Sequence, residues 1–389
     1  MTYTVGIDIA KYEHVASIIN SNTGELIVDS LHFDNNHKGF KLLLSNLSKL
    51  NKDDIKIGFE STAHYHQSLF NYLTRKGYKC ILINPYMTSR FRSISLRNAK
   101  NDNIDSRAIA SFLSFNYSDL LEDEFIINDL KELSSQRQSL IELSTASKIK
   151  LVSYLDRTFP ELESITNKQG LHSKAIRAIL KAYPSAYRIS RTRIDKLINL
   201  SNKASGNKYP EEKIISLKET AKNSIGIDID GIALRIKQTI ELLESIERQI
   251  DEIDIAITKH PLVINSPLHK LKGINSIEIG YIMSAIISIK RFSSSDKLIA
   301  YAGLDPIVRQ SGTWSASKTR MSKRGNKLLR YALIWTANNM RKHPSKMKEY
   351  FDKKISEGKL HYNALGHCAA KLCRYIFYIL NNPDSEFIN

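Results

Sequence analysis

Cysteine is scarce: three occur in 389 residues, and Cys80 lies far in sequence from Cys368 and Cys373. No C-x-x-C pair exists, so neither a disulfide framework nor a cysteine zinc site is expected. Long apolar runs are missing too. The greasiest stretch, "INSIEIGYIMSAIISI", is interrupted by Glu278 and is too short to cross a bilayer comfortably. "MTYTVGIDIA" has no charged leader followed by an apolar segment, so no signal peptide is expected. Internal repeats and low-complexity tracts are absent as well. Together these absences point to a soluble, cytoplasmic protein with no membrane partner.

Negative charge is missing from two windows. Between Ser61 and Asn101 there is no Asp or Glu but seven Lys or Arg, and between Pro306 and Lys348 no acid but eleven. The whole chain carries 57 Lys and Arg against 40 Asp and Glu, a formal charge of +17. A field of that sign favours a polyanionic partner, most simply nucleic acid. Hydrophobic content of 42% and charged content of 25% are globular values, and the length implies two or three domains.

The first 115 or so residues alternate strand and helix signals. "TVGIDIA", "HVASIIN" and "LIVDSLHF" read as strands, "GFKLLLSNLSKL" as a helix, "IKIGFES" as a strand and "QSLFNYLTRKG" as a helix closed by Gly77. "KCILINP" is a further strand, and "DNIDSRAIASFLS" begins a helix at Asp102. Three strands, helix, strand, helix, strand, helix is the element order of the ribonuclease H-like fold, a mixed sheet with helices on its faces. From about residue 126 the texture is helical. One amphipathic segment runs from Leu130 towards Pro160, and a second from about Ile229 to Ile257 carries a heptad pattern. That pattern fits either an intermolecular coiled coil or a helix packed in its own domain, and an antiparallel pair of the two segments satisfies both. Residues 160–225 are more broken, with "AYPSAY" and "SNKASGNKYPEE" marking turns.

Asp8 sits inside an apolar strand, and Glu60 ends another. A buried carboxylate needs a partner or a metal. In a ribonuclease H-like sheet the first and fourth strands are neighbours, which sets Asp8 beside Glu60. Asp102 and Asp105, three apart, share one helix face. If that helix crosses the same sheet edge, four carboxylates converge. Their repulsion calls for divalent cations, and two ions held by oxygen ligands, Mg²⁺ or Mn²⁺, suit phosphoryl transfer. Asp102 as an N-cap with Asp105 at N3 explains that pair without a metal; the four together, on these elements, favour the metal. His64 and His66 read as surface or packing residues.

The second basic window holds "RQSGTWSASKTRMSKRGNKLLRYALIWTA". Its cations, Arg309, Lys318, Arg320, Lys323, Arg324, Lys327 and Arg330, surround Ser311, Ser315, Ser317 and Ser322, and with Arg97 and Lys100 they are the candidate nucleic-acid contacts. The hydroxyls either donate hydrogen bonds to phosphate, or one attacks a phosphodiester and conserves its energy as a protein–DNA ester. Spacing does not choose among the four. Upstream, "LHKLKGINSIEIGYIMSAI" has the outline of a degenerate helix-hairpin-helix, with Asn275 where a second Gly is usual, or of a plain αα-hairpin.

With both ends in view, the chain resembles a DEDD transposase of the insertion-sequence one-ten type. That family includes the Piv-type invertases, and its members are described as bridge-RNA-guided serine recombinases. "GIDIAK" matches the first aspartate motif at Asp8, and "ESTAHY" resembles the motif at Glu60. "LRNAKNDNIDSRAIA" resembles the motif that places Asp102 and Asp105. The stretch from "FSSSDKLIAYAGLDP" through "RGNKLLRYAL" is similar to the C-terminal signature, whose serine followed by Gly is here Ser311. Ser61, Ala63 and Asn101 depart from the pattern without removing a carboxylate. The resemblance implies a RuvC-like catalytic domain over 1–125 and a helical coiled-coil region over 126–260 with an insertion at about 160–225. A transposase domain with the catalytic serine would occupy 261–389. It implies Asp8, Glu60, Asp102 and Asp105 as catalytic metal ligands, Ser311 as nucleophile, donor and target DNA as substrates, and a noncoding guide RNA. Homodimers pairing into tetramers would bring the carboxylates of one protomer to the serine of another, in a bacterial or archaeal cell. The alternatives are a RuvC-like hydrolytic nuclease, a non-catalytic nucleic-acid-binding protein, and a sugar-kinase-like ATPase, which lacks here its second Gly-rich phosphate loop.

Overall fold

Apolar runs in the first 83 residues pair into a five-stranded mixed sheet. The computed structural model describes residues 2–60, 64–83, 85–92, 102–116, 129–307, 310–311, 314–315 and 320–386. Strands β1 (Tyr3–Ile9), β2 (Glu13–Asn20), β3 (Leu26–Asp34), β4 (Ile55–Glu60) and β5 (Lys79–Ile83) stand in the order β3-β2-β1-β4-β5. The first three form an antiparallel meander, whereas β4 runs parallel to β1, and β5 to β4. β1 lies at the centre, so Thr4, Val5 and Ile7 are all buried and the strand reads as a continuous apolar run rather than an alternating one.

The helices of this region are α1 (His37–Leu47), α2 (His66–Arg75), α3 (Pro85–Arg92) and α4 (Asp102–Asn116). Asn36 caps α1 by accepting from the Gly39 amide at 2.9 Å, and Phe40, Leu43 and Leu47 follow at turn spacing into the sheet core. α2 stops just before Gly77, whose φ of +78° is a left-handed conformation that costs glycine little. α4 lies directly on β1 and β2. A Cβ at Gly6 would come within 2.2 Å of the Ala110 nitrogen and the Ser106 oxygen, so strand and helix backbones touch where only glycine fits. Beside that contact the buried hydroxyls of Ser17 and Ser106 share a hydrogen bond at 2.8 Å.

The chain divides into two compact units, Met1–Asn128 with Ile287–Lys297, and Asp129–Ile286 with Leu298–Asn389. The described part of the second is mostly helical. It opens with α5 (Asp129–Thr158), continues through α6 (Leu162–Gly170), α7 (Lys174–Ala182), α8 (Ala186–Arg191), α9 (Ile194–Ser205) and α10 (Glu211–Lys222), and reaches α11 (Asp230–Thr258). Arg137 near the start of α5 pairs with Asp254 near the end of α11, while Arg235 near the start of α11 lies over the Tyr154 ring near the end of α5. The two long helices are therefore an antiparallel pair within one chain. Their buried positions do not keep to two per heptad. Ile232, Ile236, Leu243, Ile246 and Ile257 are buried, but so is Ile240, and Ile229 is 47% exposed. The broader stripe has a cause: α6 to α10, the broken stretch of the sequence, close a core with the first half of α11 and the end of α5.

Beyond α11 come α12 (Pro261–Ile264), α13 (Ser276–Ile286), α14 (Ser295–Ala302), the short strands β6 (Gln310–Ser311) and β7 (Trp314–Ser315), α15 (Lys327–Met340), α16 (Lys346–Ser356) and α17 (His361–Asn381). The hairpin outline upstream of α13 resolves into a single 3₁₀ turn, Pro267–Lys270, and Gly273 at φ +85°. Asn275 then forms a capping box with Glu278: its side chain accepts from the Glu278 amide at 2.9 Å, and Glu278 accepts from the Asn275 amide at 3.0 Å. Among the described residues, no helix is long and apolar enough to cross a membrane.

Candidate functional site

The β1–β4 register decides where the acids go. Ile7 pairs with Phe59, so Asp8 and Glu60 are the next residues on neighbouring parallel strands, side by side at their carboxyl ends. Side chains alternate along a strand. Asp8 thus shares a face with Gly6, and Glu60 with Gly58. That is the face α4 covers, because a Cβ at Gly58 would meet the Leu113 side chain. Asp8 is half-buried, and Glu60 is 9% exposed.

α4 brings Asp105 to the same face. Asp105 is 8% exposed and immediately precedes Ser106, whose backbone lies against Gly6 and whose hydroxyl bonds Ser17. Asp102 is the first residue of α4; its side chain falls outside the described residues. Arg97 and Lys100 also lie outside them. Among the described residues, no three His, Cys, Asp or Glu side chains gather closely enough to hold a metal ion. The structure thus brings Asp8 and Glu60 together and sets Asp105 on the covering helix, without closing a cage. All the donors are carboxylate oxygens at one sheet end, a set suited to a hard divalent cation rather than to zinc. His64 is exposed and His66 is buried, in keeping with surface and packing roles.

Thr88 is a contact that the sequence did not reveal. β5 ends beside Glu60, since Glu60 pairs with Ile83, and α3 starts two residues later. Thr88 on α3 is fully buried and donates its hydroxyl proton to Glu60 Oε1 at 2.5 Å. No motif marks it; only the return of β5 alongside β4 brings it there.

In the second unit the serine-rich stretch is carried on a two-stranded ribbon. The Ile307 amide donates to the Arg320 carbonyl at 2.8 Å, the Ser322 amide to the Asp305 carbonyl at 2.8 Å, and Pro306 bridges Met321. Within it, Ser311 on β6 pairs with Trp314 on β7, and Gln310 with Ser315. Arg309, Ser317 and Lys318 fall outside the described residues, and only the backbone of Ser311 is described. Ser322 is occupied, its hydroxyl donating to Asp305 Oδ1 at 2.5 Å. The base of the ribbon is locked by glycines: a Cβ at Gly325 would sit 2.1 Å from the Tyr301 oxygen. Asn326 then caps α15, accepting from the Leu329 amide at 2.9 Å.

Of the basic residues, Arg320, Lys323, Arg324 and Lys327 are exposed. Arg330 is half-buried, and its Nη1 donates to the Ala302 carbonyl at 3.0 Å. Lys327 pairs loosely with Glu142 at 3.6 Å. The first turn of α15 contains no acid, so the helix N-terminus and the cations around it present positive potential.

Comparison with known proteins supports both ends. A family model for DEDD-type elements, described as "Transposase", matches residues 5–160, and a second, "Transposase IS116/IS110/IS902 family", matches residues 265–352. A Streptomyces coelicolor protein, "Insertion element IS110 uncharacterized 43.6 kDa protein", is 24% identical over 271 residues, covering 67% of this chain and 65% of that one. A Mycobacterium paratuberculosis protein, "Insertion element IS900 uncharacterized 42 kDa protein", is 32% identical over 91 residues, 23% of each chain. The chain therefore spans just under two thirds of the first relative and about a quarter of the second. The two models match separate stretches, one in each half of the chain, and over both stretches the chain is similar to insertion-sequence transposases.

Proposed function

We propose that the protein is an insertion-sequence transposase that cuts and rejoins DNA through a divalent-metal carboxylate site and a serine nucleophile. The observation that carries this reading is the register that sets Asp8 beside Glu60 on the face covered by α4, the helix of Asp102 and Asp105. The sheet order and the helix over β1 support a RuvC-like, ribonuclease H-like domain over 1–125. A helical middle over 126–260 and a C-terminal transposase domain over 261–389 complete the division. Asp8, Glu60, Asp102 and Asp105 would hold Mg²⁺ or Mn²⁺, two ions in the full assembly. Such ions polarise the scissile phosphate and neutralise charge developing on it.

In the proposed step the Ser311 oxygen forms a bond to phosphorus, and the bond from phosphorus to the departing strand oxygen breaks. The serine proton ends on that oxygen, leaving a free hydroxyl. The ester keeps the energy of the phosphodiester, so a strand hydroxyl can attack it and release Ser311 without ATP. Arg320, Lys323, Arg324 and Lys327 would hold the strand by its phosphates, with Arg309, Lys318, Arg97 and Lys100 extending that contact. A noncoding RNA from the element's flank would select donor and target, leaving the protein to read backbone and shape.

The test is to trap protein–DNA adducts by denaturing gel with labelled donor DNA, the flanking RNA and Mg²⁺. A covalent band that disappears in both Ser311→Ala and Asp8→Asn is expected. Cleavage without an adduct would instead identify a hydrolytic nuclease.

A further inference from the structure

Three cations from three successive helices gather on one surface near the C-terminal end of the chain. Arg341 caps the end of α15, Lys354 lies on α16 and Lys371 on α17. Lys371 Nζ stands 4.4 Å from the centre of the Tyr350 ring and 5.6 Å from that of Tyr375, and Lys354 Nζ stands 5.4 Å from Tyr350. The Arg341 guanidinium lies 4.7 Å from the centre of the Phe351 ring and donates to Asn338 Oδ1 at 2.9 Å. All three act on the Cys368 thiol, drawing it down against the effect of burial. We infer that this surface is a second nucleic-acid contact, which holds the phosphate backbone of DNA or RNA on a different side of α17 from the serine ribbon. The inference concerns binding alone and does not depend on the chemistry proposed for Ser311.

The case starts from what neutralises these charges. A carboxylate partner cancels a cation's field, whereas an aromatic ring holds the cation by its quadrupole and leaves the net charge in place. Of the three, Lys354 pairs with an acid, Glu357 at 2.7 Å. The partners of Arg341 and Lys371 are rings and one side-chain amide. The sequence adds to this, since no Asp or Glu occurs from Gly358 to Pro383, where Lys359, Lys371 and Arg374 do. Lys359 and Arg374 are both exposed. Such a surface keeps a positive potential, the electrostatic footprint of a polyanion site. Geometry separates it from the ribbon. A Cβ at Gly366 would lie 3.1 Å from the Met321 side chain, so the base of the ribbon rests on α17 at that point. Lys371 is turned about 140° from Gly366 round the helix at 3.6 residues per turn, and so faces another side.

If the rings and cations only fasten the three helices together, neutralising them lowers stability and leaves nucleic-acid binding alone. The experiment uses the full-length chain with two probes, a duplex DNA of random sequence and an RNA hairpin. Fluorescence anisotropy is followed across a series of salt concentrations, with urea unfolding as the check on folding. The triple variant Arg341→Gln, Lys354→Gln, Lys371→Gln is expected to lower the slope of log affinity against log salt by about 2 to 3, and Lys371→Gln alone by about 1. Lys371→Arg keeps the wild-type slope. So does the control Lys208→Gln, which removes an exposed charge between α9 and α10. A drop on DNA, on RNA or on both supports the contact and identifies what it carries. Wild-type slopes on both probes in the folded variants, an equal drop in Lys208→Gln, or no binding by wild type overturns it. Where the triple variant does not fold, Lys371→Gln decides. The adduct assay for Ser311 is scored separately: an adduct with unchanged slopes sinks this contact alone, and changed slopes without an adduct sink the serine chemistry alone.

Discussion

Arg137 shows what a single residue can do in the helical unit. Its guanidinium is buried, bonds both oxygens of Asp254 and reaches the Tyr281 hydroxyl at 3.4 Å. It also lies 5.9 Å from the centre of the Trp335 ring. Four helices thus meet on one cation. Arg137→Ala should cost about 3 kcal/mol, the lower end for breaking a buried pair because Asp254 keeps some access to solvent; urea unfolding measures it. Glu278 offers a pH test. It is fully buried, and burial holds its carboxyl above the ordinary range despite donation from the Asn275 amide and the Asn339 side chain. A raised carboxyl contributes stability in full below its unfolded value and loses it as pH rises through the folded one. The Tm of wild type relative to Glu278→Gln should therefore fall as pH rises above about 4.5, and a flat difference would contradict the assignment. The three thiols tell the same story of burial: Cys80 and Cys373 are pushed up to about 12 and Cys368 to about 11, so none is poised as a nucleophile.

At the scale of elements, the contact between α4 and β1 governs the candidate site. Gly6 permits the approach, and the Ser17–Ser106 bond sets the rotation of the helix just after Asp105. Gly6→Ala would drive a methyl into the backbone of Ala110 and Ser106. Because backbone cannot swing away as a side chain does, the helix must lift, at about 3 kcal/mol or more. Denaturant unfolding should show that loss, and Mn²⁺ binding should weaken with it because Asp105 moves off the sheet. "VGIDIA" in the sequence revealed an aspartate in a buried strand. That Gly6, two residues earlier, is the seat of α4 could not be read there, because the contacting residues lie about a hundred positions later.

At the scale of the whole molecule, the candidate residues fall on separate compact units: Asp8, Glu60 and Asp105 on one, and the ribbon that carries Ser311 on the other. The proposed function extends to an assembly in which one protomer supplies the acids and another the serine, and that proposal gives a direct prediction. A mixture of Asp8→Asn and Ser311→Ala chains should recombine DNA in the presence of the RNA, although each alone is inactive, because some synaptic sites then combine an intact carboxylate set with an intact serine. No recovery, with both variants folded and binding DNA, would place both groups within one chain. The +17 charge bears on a different quantity, the salt dependence of binding rather than the chemistry.

The sequence by itself determined the five strands of the sheet, the two long helices, the charge and the candidate acids. Periodicity and caps are local, so the strands, the long helices at Asp129–Thr158 and Asp230–Thr258, and the turns around Pro184 and Gly206 were legible. Element order also foretold that the first and fourth strands would be neighbours, and they are. Tertiary structure decided what depends on residues distant in the chain. It seated α4 on Gly6, brought Thr88 to Glu60 and tied the Ser322 hydroxyl to Asp305. It also packed the broken stretch around α11, widening a heptad seam into an ordinary buried face. Pattern records which way a side chain points along its own element; which atom it meets is set by the packing of elements that the pattern does not relate.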